Sequence, residues 1–193
     1  AVRAGQVMRG TTLFMSSVTD PYQPIESKLG LTRSVVEALL PVQAALTVHT
    51  RSPVVTRDLD LLTGFESVRV NMSITTDSDE IRQRYEPHAP SIDARLRAAT
   101  AVAGAGIPLC IFVSPMLPIR DVRSFAERLA ATGASSYATQ PLYPVRGEFM
   151  SVSTSVALAK AREDGWTDDR VAAAQEELGA ALEGRLVVRW KPG

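Results

Sequence analysis

Five polar side chains stand at the ends of apolar runs, where an α/β protein places its chemistry. Thr19 and Asp20 lie in the loop Thr19-Asp20-Pro21-Tyr22-Gln23-Pro24, directly after the apolar run Thr12-Leu-Phe-Met-Ser-Ser17. Arg51 follows a β-forming run at 45–50, Ser73 lies near the end of a run at 68–74, and Ser114 follows a run at 109–113. One acid, one guanidinium and several hydroxyls suit a small zwitterionic ligand that carries hydroxyl groups. The carboxylate can hold an ammonium, the arginine fork can grip a carboxylate through two bonds, and the hydroxyls can meet a sugar. Each residue also has a plainer reading. Thr19 and Asp20 before Pro21 can make a turn. Arg51 can make a surface ion pair, and a serine at a strand end can cap the backbone. The set as a whole, repeated at one end of successive strands, is what points to a ligand.

Other chemically capable residues read as structural. His49 falls inside a strand, as a packed or hydrogen-bonded histidine. His88 sits with Glu86 in a proline-flanked surface loop, and the two histidines show no metal-ligand spacing. Cys110 falls in an apolar strand as an inert core thiol. Arg82, Arg84, Arg95 and Arg97 interleave with helical apolar positions and read as solvated faces. No P-loop, serine elbow or paired-carboxylate motif is present. The lysines Lys28, Lys160 and Lys191 do not fall on strands, which disfavours a Schiff-base barrel enzyme.

The elements that must position the strand-end set alternate. Strands are predicted at 13–17, 45–50, 68–74, 109–113 and 136–139. Helices are predicted at 32–40 (ended by Pro41), 56–62, 78–85, 91–102 (capped by Ser91, closed by Gly104 and Gly106) and 122–131 (closed by Gly133). Beyond Gln140 the repeat weakens to helices at 152–163 and 168–182 and a short strand at 185–190. Strands separated by helices imply parallel pairing with right-handed crossovers. Gly104-Ala-Gly106 precedes a strand instead of following one, so it is no dinucleotide fingerprint. The fold class is therefore α/β, a parallel (β/α) barrel or barrel fragment in one domain. Residues 12–140 form its core βα units, and 141–193 the C-terminal helices and short strand.

Composition bounds the rest. The sequence has 193 residues, 45% apolar and 22% charged, with zero formal net charge, which fits a globular domain with a substantial core. A neutral balance makes no electrostatic case for non-specific nucleic-acid binding. One cysteine excludes an intrachain disulfide and fits a reducing, cytoplasmic setting. No apolar run approaches the ~20 residues that span a bilayer, so no membrane partner is expected. The first residue is Ala1, which fits a processed N-terminus or a piece of a longer chain.

Several segments together resemble the radical SAM superfamily, in the group related to spore photoproduct lyase and often labelled DNA repair photolyases. They are Ser16-Ser-Val-Thr-Asp-Pro-Tyr-Gln-Pro-Ile-Glu26 with Leu31-Thr-Arg33, then Val48-His-Thr-Arg-Ser-Pro53 with Arg57-Asp-Leu-Asp-Leu-Leu62. Ser73-Ile-Thr-Thr76, Tyr85-Glu-Pro-His-Ala-Pro-Ser91 and Val113-Ser-Pro-Met-Leu-Pro118 follow in the same order. The resemblance implies a partial barrel, from its second strand onward, that binds S-adenosylmethionine over a four-iron four-sulfur cluster. One-electron reduction then yields a 5′-deoxyadenosyl radical. Carried over by position, Thr19 and Asp20 meet the methionyl ammonium and Arg51 its carboxylate. Ser73 approaches the ribose or methionyl group, and Ser114 lines the adenosine pocket.

The sequence also departs from that family. The cluster needs three cysteines at CxxxCxxC spacing, and Cys110 cannot supply them. Many relatives carry lysine at the position of Arg51, and spore photoproduct lyase carries its hydrogen-donating cysteine where Ser17 stands. The chain by itself is thus expected to be catalytically silent, with no catalytic residue or metal ligand assignable. A cluster-less S-adenosylmethionine-binding or scaffold protein is the alternative. Nucleic acid is a partner by resemblance alone. The edge at 13–17 is expected to be covered by another chain or a terminal segment.

Overall fold

The computed structural model describes residues 7–15, 19–142, 155–182 and 185–189. Its centre is a six-stranded, wholly parallel sheet in sequential order. The strands are β1 (Thr12–Met15), β2 (Ala45–Thr50), β3 (Val68–Ser73), β4 (Leu109–Met116), β5 (Ser136–Pro141) and β6 (Leu186–Arg189). A sequential parallel order with right-handed crossovers sends every connection over the same face. This is the construction of an α/β partial barrel. The terminal strand predicted after the weakened repeat is a sixth member of the same sheet, parallel to β5.

The connecting helices are α1 (Glu26–Leu29), α2 (Leu31–Leu39), α3 (Leu59–Leu62), α4 (Asp79–Tyr85), α5 (Ile92–Gly104), α6 (Val122–Ala130), α7 (Ser155–Glu163) and α8 (Asp168–Ala181). The segment predicted as a helix at 56–62 splits into a 3-10 turn, Pro53–Asp58, and the short α3. Pro41 does not simply end its helix but opens a further 3-10 turn, Leu40–Val42. Ser78, Ser91, Asp121 and Thr167 each cap a helix by accepting a backbone N–H two or three positions into it. Such caps contribute about 1 kcal/mol apiece. Ser16, Ser17, residues 152–154 and Trp190, which the sequence reading includes in elements, lie outside the described residues.

Strand alternation separates two faces. Leu46, Val48, Val70, Met72, Leu109, Ile111, Val113 and Tyr137 are buried and belong to one continuous core with Val36, Leu39, Leu62, Ala98, Ala99, Val102, Phe125 and Leu129 from the helices. The other face is mixed. Its cross-strand rows read Phe14, Thr47, Arg69, then His49, Asn71, Cys110, Ser136, then Ser73, Phe112, Ala138. That alternation appears in β2 as a strict half-buried and buried rhythm. One face is for packing, and the other carries the polar and aromatic groups.

Candidate functional site at the strand C-terminal ends

The loop after β1 folds back over the end of β2. Asp20 is the reason: its Oδ1 accepts from Tyr22 N–H at 2.8 Å and from Thr50 Oγ1 at 2.6 Å, and its Oδ2 accepts from Arg51 N–H at 2.8 Å. A carboxylate offers about four acceptor positions, and three of them are committed here. Asp20 is therefore first an organiser of the mouth. Thr19 stands exposed beside it.

Arg51 projects from the end of β2 with its side chain 40% exposed. Its Nη1 donates to Glu86 Oε1 at 2.5 Å. Glu86 comes from the linker between α4 and α5 and is nearly buried. Its second oxygen, Oε2, accepts from Arg95 Nη2 at 2.8 Å and Thr75 Oγ1 at 2.9 Å. Arg95 is fully buried and also donates to the carbonyls of Pro90 at 3.0 Å and Ser73 at 3.3 Å. The Ser73 hydroxyl in turn lies 2.9 Å from His49 Nε2. Asp20, Thr50, Arg51, Glu86, Arg95, Ser73 and His49 thus form one chain of contacts across the ends of β1, β2 and β3.

Charge in this chain is matched. Burial alone would push the Glu86 carboxyl up, but Arg95 and Arg51 outweigh it and hold it below the ordinary carboxylate range. Burial pulls the Arg95 guanidinium down while Glu86 opposes it. Burial, and then Arg51, lower the His49 imidazole, with Asp20 acting the other way. The neutral His49 ring lies between Phe14, at 6.0 Å, and Phe112, at 4.8 Å.

Ser73 is buried beneath this mouth and less accessible than its strand-end position suggests. Ser114 stands apart from the chain. It is half-buried on β4, its hydroxyl donates to Gln140 Oε1 at 2.8 Å, and its peptide bond to Pro115 is cis. The structure therefore brings Asp20, Arg51 and Ser73 into one network, with Ser114 on the next strand, β4, at the same end of the sheet.

Beside the mouth is a second ionic cluster built from residues of the family-like segments. Asp58 is wholly buried and receives Arg33 Nη1 at 3.1 Å and Arg57 Nε at 2.7 Å. Glu26, also buried, accepts from Arg57 Nη2 at 2.9 Å and Thr32 N–H at 3.0 Å. Arg33 reaches on to Asp60. Burial would raise both Glu26 and Asp58, and their arginine bonds reverse it, so both carboxyls lie below their ordinary values. This cluster ties the segment after β1 to the segment after β2.

The arginine expectation needs correction. Arg84 and Arg97 are exposed, whereas Arg82 is buried and Arg95 has no exposure at all. Arg95 shares the buried stripe of α5 with Ile92, Ala98, Ala99 and Val102, and Glu86 supplies its counter-charge. Glu86 itself turns inward although its neighbour His88 is exposed. One signal was available: an arginine at helical spacing among apolar positions, behind the rigid Glu86-Pro-His-Ala-Pro90 linker. Cys110 is buried as expected, and burial pushes its thiol up.

Among the described residues, no group of three histidine, cysteine or acidic side chains is placed to hold a metal ion. With one cysteine in the sequence, the donor set does not fit a four-iron four-sulfur cluster. No helix among the described residues is long and apolar enough to cross a membrane.

The fold is similar to that of solved radical SAM enzymes. Spore photoproduct lyase, in a structure with bound AdoMet and dinucleoside spore photoproduct, is similar over 92% of this chain and 60% of its own, with a TM-score of 0.59 at 18% identity. The radical S-adenosylmethionine methyltransferase TsrM from Kitasatospora setae is similar over 86% of this chain and 44% of its own, with a TM-score of 0.56 at 13% identity. No family model matches the chain. In sequence, it is 35% identical over 106 residues to an uncharacterized protein of Methanocaldococcus jannaschii, covering 55% of this chain and 40% of that one. It is 29% identical over 179 residues to an uncharacterized protein of Acidianus two-tailed virus, covering 88% and 58%. A more distant relative, 28% identical over 124 residues and covering 62% of this chain and 26% of its own, is the radical SAM Nalpha-GlyT isomerase of Pseudomonas phage M6. The chain thus spans 40% and 58% of the lengths of the first two relatives.

Proposed function

We propose that this chain forms the S-adenosylmethionine-binding part of a radical SAM enzyme. The observation that carries the reading is the pairing of Asp20 and Arg51 at the C-terminal end of β1 and β2. Asp20 holds the Arg51 backbone N–H, and the half-exposed Arg51 guanidinium, bonded through Nη1 to Glu86, keeps donors to spare. An α-amino acid headgroup matches that pair, its ammonium toward Asp20 and its carboxylate toward Arg51. Ser114 and the Phe14–His49–Phe112 rings continue a face that suits a ribose and a purine, with the buried Ser73 hydroxyl fixing His49 beneath it. The fold likeness supports the same assignment.

In an enzyme of that kind S-adenosylmethionine would be the source of a radical that takes hydrogen from a substrate, a chemistry that would need an iron–sulfur cluster. The residues described here do not provide the cluster's ligands, so in this proposal the cluster is held by cysteines outside these 193 residues. The part played by this chain is to bind and orient the sulfonium ligand. The solved relative that holds a dinucleoside supports a nucleic-acid lesion as the substrate class to test first. The alternative function, a binding or scaffold protein without catalysis, is favoured by the single cysteine.

Calorimetric titration of the chain with S-adenosylmethionine tests the binding. Saturable uptake that Asp20→Ala weakens by about tenfold or more is the expected result. Equal binding by both proteins counts against the site. Repeating the titration on the gene's whole product after iron and sulfide reconstitution separates the two functional readings: cleavage under reductant supports the enzyme, and binding without cleavage supports the scaffold.

A further inference from the structure

We infer that Glu86 is a positioning residue for ligand recognition: it fixes the Arg51 guanidinium so that its free edge meets a ligand carboxylate. The inference rests on the S-adenosylmethionine reading and names a residue that reading does not include.

The argument is geometric. An arginine at a strand end carries four rotatable bonds and loses affinity for a ligand if it must be ordered on binding. Here one nitrogen, Nη1, is held on Glu86 Oε1 at 2.5 Å, while the side chain stays 40% exposed. Glu86 cannot swing with it. Its other oxygen is held by Arg95 at 2.8 Å and Thr75 at 2.9 Å, and Arg95 is locked by the Pro90 and Ser73 carbonyls. The holder of Arg51 is thus fixed from β3, α5 and the linker at once. A surface ion pair would show none of this depth, because both partners would stand in water.

Charge gives the second part. Arg51 and Arg95 carry two positive charges against the one carboxylate of Glu86. Glu86 is shared between the two, with Arg95 on its buried side, so it does not by itself satisfy Arg51. Asp20 evens the total charge, but it contacts Arg51 at the backbone N–H, which leaves the guanidinium's remaining donors for an anionic group. The arrangement selects a ligand with an anionic group beside a cationic one, and the anion-binding half depends on Glu86.

The test compares S-adenosylmethionine with its decarboxylated analogue, which keeps the ammonium and loses the carboxylate. Calorimetry is run on the wild-type chain, Glu86→Gln, Arg51→Met and the pair Glu86→Gln/Arg51→Met. Glu86→Gln is expected to weaken S-adenosylmethionine about tenfold and to leave the analogue nearly unchanged. In the Arg51→Met background the same change should have no further effect on S-adenosylmethionine. Because Glu86→Gln leaves Arg95 buried without its counter-charge, Glu86→Gln/Arg95→Met is measured as well. It removes both buried charges, and it should keep the same selective loss in a folded chain. Equal weakening of both ligands in that double variant would mean a merely structural role and overturn the inference. Unchanged or tighter S-adenosylmethionine binding would overturn it too, by showing that Glu86 competes for Arg51. A wild-type chain that binds neither ligand refutes the S-adenosylmethionine reading itself, and this inference with it.

Discussion

At the scale of residues, the site is a set of commitments already made. Asp20 spends three acceptor positions on Tyr22, Thr50 and Arg51, so its removal has two effects. Asp20→Ala should lose ligand affinity and also destabilise the loop by about 1–3 kcal/mol, the cost of leaving buried donors unpaired. Thermal unfolding of the variant without ligand checks the second effect. Asp20→Asn should recover part of the stability, because an amide oxygen still accepts one of the bonds. Arg51→Lys keeps the charge and loses the fork. It should bind S-adenosylmethionine less tightly than the wild type and more tightly than Arg51→Met, read by the same titration.

At the scale of elements, two connections carry the mouth. The segment after β1 is tied to the segment after β2 by Glu26, Arg33, Arg57 and Asp58. Asp58 is the member without solvent, and breaking a buried pair from one side is more costly than never having it. Asp58→Asn should destabilise the chain by about 2–3 kcal/mol, below the full cost of a buried pair because both arginine partners keep some water. Denaturant unfolding with an unchanged m-value checks it. The other element-level expectation concerns β1. It pairs with β2 alone among the described strands, and Phe14 on it is 54% exposed. Such an edge invites pairing. The 193-residue chain should show concentration-dependent self-association, and Phe14→Lys should reduce it. Sedimentation of a monomer at every concentration would contradict this.

At the scale of the whole molecule, pH acts through two sets of groups. Glu26, Asp58, Asp79 and Glu86 are all held below their ordinary values in the fold. Groups depressed in this way stabilise the fold above their unfolded pKa, near 4, and lose that contribution as pH falls further. His49 is depressed too, so the unfolded chain takes up a proton below about 6.5 before the folded chain does. Stability should therefore decline gently from about pH 6.5 downward and steeply below about 4. His49→Phe should flatten the first phase only, in unfolding curves taken across that range.

Much of the architecture could be read from the chain because the signals are local. Apolar β-forming runs, Ser91 ahead of helical spacing, and glycines behind it mark elements without any knowledge of their neighbours. Parallel order follows from alternation, and with it the end of the sheet where Asp20, Arg51, Ser73 and Ser114 had to gather. Three things were not local. The parallel pairing of β6 depends on where the C-terminal segment docks. The burial of Ser73 depends on His49, on the neighbouring strand. The inward turn of Glu86 and Arg95 depends on each other: either charge alone would have faced water, and only their meeting between β3 and α5 makes burial tolerable. The sequence by itself determined which residue types could meet at the mouth. Tertiary structure decided which of them are held, and by what, because a buried charge takes its position from a partner that is distant along the chain or on another element.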